Sequence, residues 1–137
     1  MRITPNDIQN LKLGTVIRDN NFVFQDGEIK AKYFIILSDI IKDNYIYTLT
    51  TSKTDTYRSS IHDECVISDP VFPLKTIIEI RRASFISTKK LINKIGDLEN
   101  MGILTKINLE YILEMISESD FVPGYVKDII IDIICEE

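Results

Sequence analysis

An α+β domain built on a small antiparallel barrel or curled sheet, with helices added at its C-terminal end, is the fold class this sequence predicts. Three observations carry it. Short segments of β-branched and aromatic residues recur between Leu13 and Ile86, and clusters of Asp, Asn, Gly, Ser and Pro separate them. After Ile86 the apolar spacing changes from two residues to about 3.6. The 137 residues, 45% of them hydrophobic, are enough for one core and are read as one domain over 1–137, with the sheet at about 11–86 and helices at about 87–137.

Leu13-Gly14-Thr15-Val16-Ile17 opens the strand series. Asp19-Asn20-Asn21 and Gln25-Asp26-Gly27-Glu28 mark a loop or hairpin around Phe22-Val23-Phe24. The run from Lys32 to Leu37 is continuously apolar after its lysine, which predicts a strand buried on both faces, as in the centre of a closed barrel. Asp43-Asn44 is a turn signal before the alternating strand Tyr45 to Thr50. The polar segment from Lys53 to Ser60 reads as an exposed loop. Strands follow at 64–67, at 76–80 and at 82–86, while Pro73 keeps Val71 to Leu74 out of any interior strand.

Ser87 or Thr88 is a candidate N-cap for a short helix through Leu91, Ile92 and Ile95, ended by Gly96. A longer helix is expected through Ile107, Tyr111, Ile112, Met115 and Ile116, with Glu110, Glu114 and Glu118 on its wet side. Residues 126–135 suit a third helix or, given their isoleucines, a strand.

The net charge of −5 argues against a generally basic nucleic-acid binder, but the average hides a division. Residues 1–94 carry 14 Lys and Arg against 11 Asp and Glu, whereas residues 95–137 carry 2 against 10. The front section is therefore mildly basic and can hold a phosphate-contacting face, with the acidic helices turned elsewhere. Met1 to Asn10 is polar and contains Pro5, and no apolar run reaches the ~18 residues of a membrane span, so a soluble, cytoplasmic protein is expected. Cys65 and Cys135 lack metal-site spacing and read as buried or free thiols, and a single histidine, His62, leaves no histidine-rich metal site.

Chemistry concentrates where the strand led by Lys32 and the strand ending in Thr50-Thr51-Ser52-Lys53 would lie side by side, bringing a cation to a cluster of hydroxyls. Taken singly, Lys32 is also a reasonable solvated charge and the threonines ordinary strand residues. His62 has the titration range of a general base, or a structural role. Arg81 and Arg82, if on a strand, point to opposite faces, so at most one joins a shared site. Tyr33, Tyr45, Tyr47 and Tyr57 are core packing or base-stacking platforms according to their exposure.

The order of these motifs resembles the MazF/PemK-like toxins of type II toxin–antitoxin systems over roughly residues 11–118. Leu13 to Ile17 looks like that family's glycine-led first strand, and Ala31-Lys32-Tyr33-Phe34-Ile35-Ile36-Leu37-Ser38 like its basic-residue strand. Thr48 to Lys53 resembles the strand delivering a catalytic Thr or Ser, and Ile61 to Ile67 a short strand led by histidine. Thr76 to Ile86 with Lys90 to Leu98 looks like the last strand pair and its transition to the final helix.

The resemblance implies an SH3-like antiparallel β-barrel of the MazF/PemK/CcdB type with C-terminal helices. It also implies a metal-independent, cofactor-free endoribonuclease that cuts single-stranded RNA as a homodimer and is neutralised by an acidic antitoxin. By position, Lys32 and Thr50 or Thr51 would be catalytic, and Ser52, Lys53, Arg58, His62 and Arg82 would contact RNA. Where the family usually has Arg followed by Pro, this chain has Lys32-Tyr33, a point charge without a bidentate fork. Residues 120–137 extend beyond the shorter family members. A second reading is a noncatalytic module of the same fold that acts through a partner protein, as a topoisomerase-inhibiting branch does. A third is an interaction domain whose acidic helices dock a basic partner.

Overall fold

The computed structural model describes residues 2–51 and 64–136. Seven strands form one antiparallel sheet in the order β4-β5-β3-β2-β1-β7, with β6 also paired to β3. These are β1 Thr15–Val23, β2 Ile29–Ile36, β3 Asn44–Thr51, β4 Glu64–Ile67, β5 Thr76–Glu79, β6 Ser84–Ser87 and β7 Leu98–Ile103. Four helices join them: α1 Pro5–Ile8, α2 Thr88–Asn93, α3 Lys106–Glu118 and α4 Gly124–Glu136. Among the described residues no ladder joins β4 to β7, so the sheet is open and not closed into a barrel.

The apolar end of β2, from Phe34, is buried on both faces as its run predicts, because each parity of its side chains meets a different core, while Ile29 to Ala31 are exposed. Ile35 and Leu37 join Val16, Ile46 and Ile78 beneath α3 and α4, through Leu109, Ile112, Leu113, Ile116, Val126 and Ile130. Phe34 and Ile36 join Ile17, Tyr45 and Leu49 on the opposite face, covered by Ile8 of α1 and Leu91 of α2. Each fully buried isoleucine of this kind is worth roughly 1.5–3 kcal/mol. The buried Tyr45 ties the second layer together: its hydroxyl donates to the Ile8 carbonyl at 2.6 Å and accepts from the Leu11 amide at 3.1 Å.

Asp19-Asn20-Asn21 is not a loop. It is a β-bulge within β1, where the register steps from Asp19↔Lys32 to Phe22↔Lys30. The Asn21 amide donates to Asp19 Oδ1 at 3.0 Å, closing the local turn. The amide side chains of Asn20 and Asn21 reach Glu99 and Asp97 at 2.8 and 2.7 Å. Two residues opposing one on β2 place Asp19 and Phe22 on the same side of the sheet as Lys32. The hairpin then closes at Phe24 to Glu28, with Gly27 at φ +87°. The β2–β3 connection turns on Lys42-Asp43, both at positive φ, one residue earlier than the Asp43-Asn44 signal indicates.

β7 is unanticipated by the sequence reading and pairs with β1 along Thr15↔Ile103 to Asp19↔Leu98. Residues 80–82 form a 3-10 turn between β5 and β6, so Arg81 and Arg82 are not on a strand. Ser87 is the N-cap of α2, accepting from the Lys90 amide at 3.1 Å. In α3 the buried stripe is Leu109, Ile112, Leu113 and Ile116, while Ile107 and Tyr111 face solvent, a shift from the expected phase. The isoleucine-rich end is helix α4. No helix among the described residues is long and apolar enough to cross a membrane.

Candidate functional site

Lys32, Thr50 and Thr51 line one cleft of about 250 Å³ at the ends of β2 and β3. The hairpin tip, through Phe24, Asp26, Glu28 and Lys30, forms one wall, and Pro73, Leu74 and Thr76 form the other. The antiparallel ladder through Phe34↔Leu49 sets the first half of β2 against the end of β3, so alternation puts Lys32 and Thr51 on the face of Phe34 and Leu49 and turns Thr50 to the face of Tyr33.

Lys32 is not a solvated charge. Its side chain is 10% exposed and its ammonium lies 3.0 Å from Glu79 Oε2, on a carboxylate that is itself 10% exposed. That oxygen is buried and makes no hydrogen bond among the described residues, so it is held by the ion pair. Phe22 and Phe24 present their rings to the same ammonium, with centroids at 5.5 and 5.1 Å. The Thr50 hydroxyl donates to the Tyr33 carbonyl at 3.1 Å, so its proton is committed while its lone pairs remain acceptors.

Arg82 enters the site through Glu79, with NH1 3.3 Å from Oε1 and its side chain half exposed. Arg81 goes elsewhere, its guanidinium 3.7 Å from the centroid of Phe121 beyond the other face. The 3-10 turn, not strand alternation, sends these two arginines apart. Ser52, Lys53, Arg58 and His62 lie outside the described residues, as does Tyr57. Tyr45 is core, whereas Tyr47 packs edge-on against Phe34 and borders a second cleft.

Glu79 is the central residue that the sequence reading missed. Its signal was present: a lone carboxylate inside Thr76-Ile77-Ile78-Glu79-Ile80 must be paired when its strand is buried. Phe22 was missed because only the bulge turns it toward Lys32. Chemically, the cleft lining offers two ammonium groups, Lys30 and Lys32, two carboxylates, Asp26 and Glu28, and the threonines, while Glu79 and Arg82 stand behind Lys32 and not on the lining. Cys65 offers no nucleophile, since burial pushes its thiol up to about 12. Among the described residues no group of three or more His, Cys, Asp or Glu comes together as metal ligands. No family model matches this chain, and no curated protein matches it.

Proposed function

We propose that this protein is a toxin-type endoribonuclease of the MazF/PemK kind, which cleaves single-stranded RNA without metal as part of a type II toxin–antitoxin system. The observation that carries the reading is that Lys32, Thr50 and Thr51 line one cleft, with Lys32 and Thr51 on the same face of the sheet. The antiparallel sheet, with β5 and β6 meeting at a 3-10 corner along β3, supports the SH3-like part of the reading. The basic front section supports an RNA-contacting face. A homodimer and an acidic antitoxin belong to the same proposal.

RNA cleavage of this class forms a bond from the 2′-oxygen to phosphorus and breaks the bond to the 5′-oxygen. One proton leaves the 2′-hydroxyl and one reaches the departing oxygen. Lys32 would oppose the charge on the phosphorane, and Thr51 would position the phosphate through its hydroxyl, since the Thr50 proton is committed to the Tyr33 carbonyl. Glu79 holds Lys32 in place before the substrate arrives. The test is incubation of the purified protein with a long single-stranded RNA in EDTA, comparing wild type with Lys32→Met after circular dichroism has shown the variant folded. Discrete fragments from wild type and intact RNA from the variant are expected. Equal cleavage by both would remove Lys32 from the mechanism.

One observation favours the noncatalytic module as a second reading: the charge of Lys32 is already matched by a carboxylate. Intact RNA with wild type and variant alike would select it.

A further inference from the structure

A second cleft, of about 390 Å³, lies on the sheet face covered by α2 and is lined by Phe22, Phe34, Tyr47, Arg82, Lys90 and Lys94, among others. Its volume is within the roughly 300–1,000 Å³ of small-ligand sites. Among the described residues Asp19 is the only carboxylate lining it, and it pairs with Lys94. Lys90 is exposed and makes no ion pair among the described residues. Arg82 and Lys94 are each paired with a carboxylate, Glu79 and Asp19, so Lys90 is the cation of this lining left to attract an anion.

The two clefts are neighbours across one cluster of side chains, and a small hollow lined by Phe22, Phe24, Asp26 and Arg82 lies between them. Glu79 binds Lys32, which lines the first, and Arg82, which lines the second. The Phe22 ring has the Lys32 ammonium 5.5 Å and the Lys94 ammonium 5.8 Å from its centroid. A polymer with alternating anionic and flat aromatic groups could therefore run from one cleft into the other, meeting a cation in each. Single-stranded RNA has that chemistry, because every base offers a π-face and every linkage a negative charge.

We infer that the second cleft is a nucleotide-binding subsite for the RNA strand next to the linkage held at Lys32. Tyr47 contributes an aromatic surface for a base, and Lys90 holds the adjoining phosphate. This inference rests on the proposed ribonuclease reading for its substrate, but not on cleavage itself.

The experiment is fluorescence anisotropy with a labelled, fully 2′-O-methylated single-stranded oligoribonucleotide, which binds but lacks the attacking hydroxyl. Lys90→Ala, at an exposed position, is expected to weaken binding about three-fold and to lower the log–log salt slope by about 0.7. Tyr47→Leu is expected to weaken it about ten-fold. Lys127→Ala, on α4 beyond the opposite face, should bind as wild type does. Wild-type affinity and salt slope in Lys90→Ala and Tyr47→Leu would overturn the subsite, as would failure of the wild type to bind. Binding that depends on Lys90 alongside intact natural RNA would uphold the subsite while refuting the ribonuclease. Cleavage that ignores Lys90 and Tyr47 would do the reverse.

Discussion

Replacing Lys32 by Met should cost about 3 kcal/mol of folding stability, an effect that must be separated from any loss of activity. The ammonium and the Glu79 carboxylate are each 10% exposed and 3.0 Å apart. Removing one partner of a buried pair costs about 3–5 kcal/mol, because the other charge stays buried. The lower end applies because Arg82, half exposed, still reaches Glu79 at 3.3 Å. Methionine keeps the length and apolar character of the stem, so packing loss stays small, although the ammonium's contact with the Phe22 and Phe24 rings is lost.

The double variant Lys32→Met with Glu79→Leu should recover to within about 1 kcal/mol of wild type, since no unpaired carboxylate remains. Urea unfolding followed by far-ultraviolet circular dichroism measures both. In a domain of this size the single variant should also melt about 10 °C lower. A single-variant loss below about 1 kcal/mol, or a double variant no better than the single, would refute the picture of a desolvated clamp. A stable but inactive double variant would show that the pair serves chemistry rather than folding.

Three further outcomes are expected. Asp69 accepts from the Thr105 amide, the Thr105 hydroxyl and Asn108 on one oxygen and from the Val71 amide on the other. Burial alone would raise its carboxyl, but these hydrogen bonds prevail and hold it below the usual carboxylate range. Its contribution is therefore complete above the unfolded value of about 3.9 and is lost as pH falls through the lower folded value. Asp69→Asn should cost about 3 kcal/mol at pH 7 and flatten the acid limb of a stability–pH curve, and an unchanged limb would count against it. Asp43→Gly, at φ +63° in the two-residue turn, should raise stability by about 0.5–1 kcal/mol and the urea midpoint with it, and a lowered midpoint would contradict the turn assignment. A thiol reagent at pH 8 should label exposed Cys135 quickly and buried Cys65 only on unfolding, so two fast thiols per chain would contradict the burial of Cys65.

β2 and β3 were legible because their runs carry hydrophobic periodicity strong enough to name both faces. β7 was not, since Glu99, Asn100 and Gly102 are poor strand formers, and only pairing with β1 makes Leu98–Ile103 a strand. The helical stripe in α3 was misphased because Ile107 and Tyr111 fall at helical spacing as naturally as Leu109, Leu113 and Ile116. The neighbourhood of Lys32 with Thr50 and Thr51 could be read from strand order. Glu79 and Phe22 required the β3–β5 ladder and a bulge, which are decided by tertiary pairing.

β3 has β2 along one edge and both β5 and β6 along the other, and its side chains are buried to either side. Its amides should therefore be among the last to exchange with deuterium, at the free energy of global unfolding. Thr50 and Thr51 sit on that strand and make a fixed anvil. The facing wall at Phe24 to Glu28 is a hairpin tip secured by few backbone bonds, and its protons should exchange through small local openings. Any widening of the first cleft to admit a strand of nucleic acid is then a movement of the hairpin jaw against the anvil.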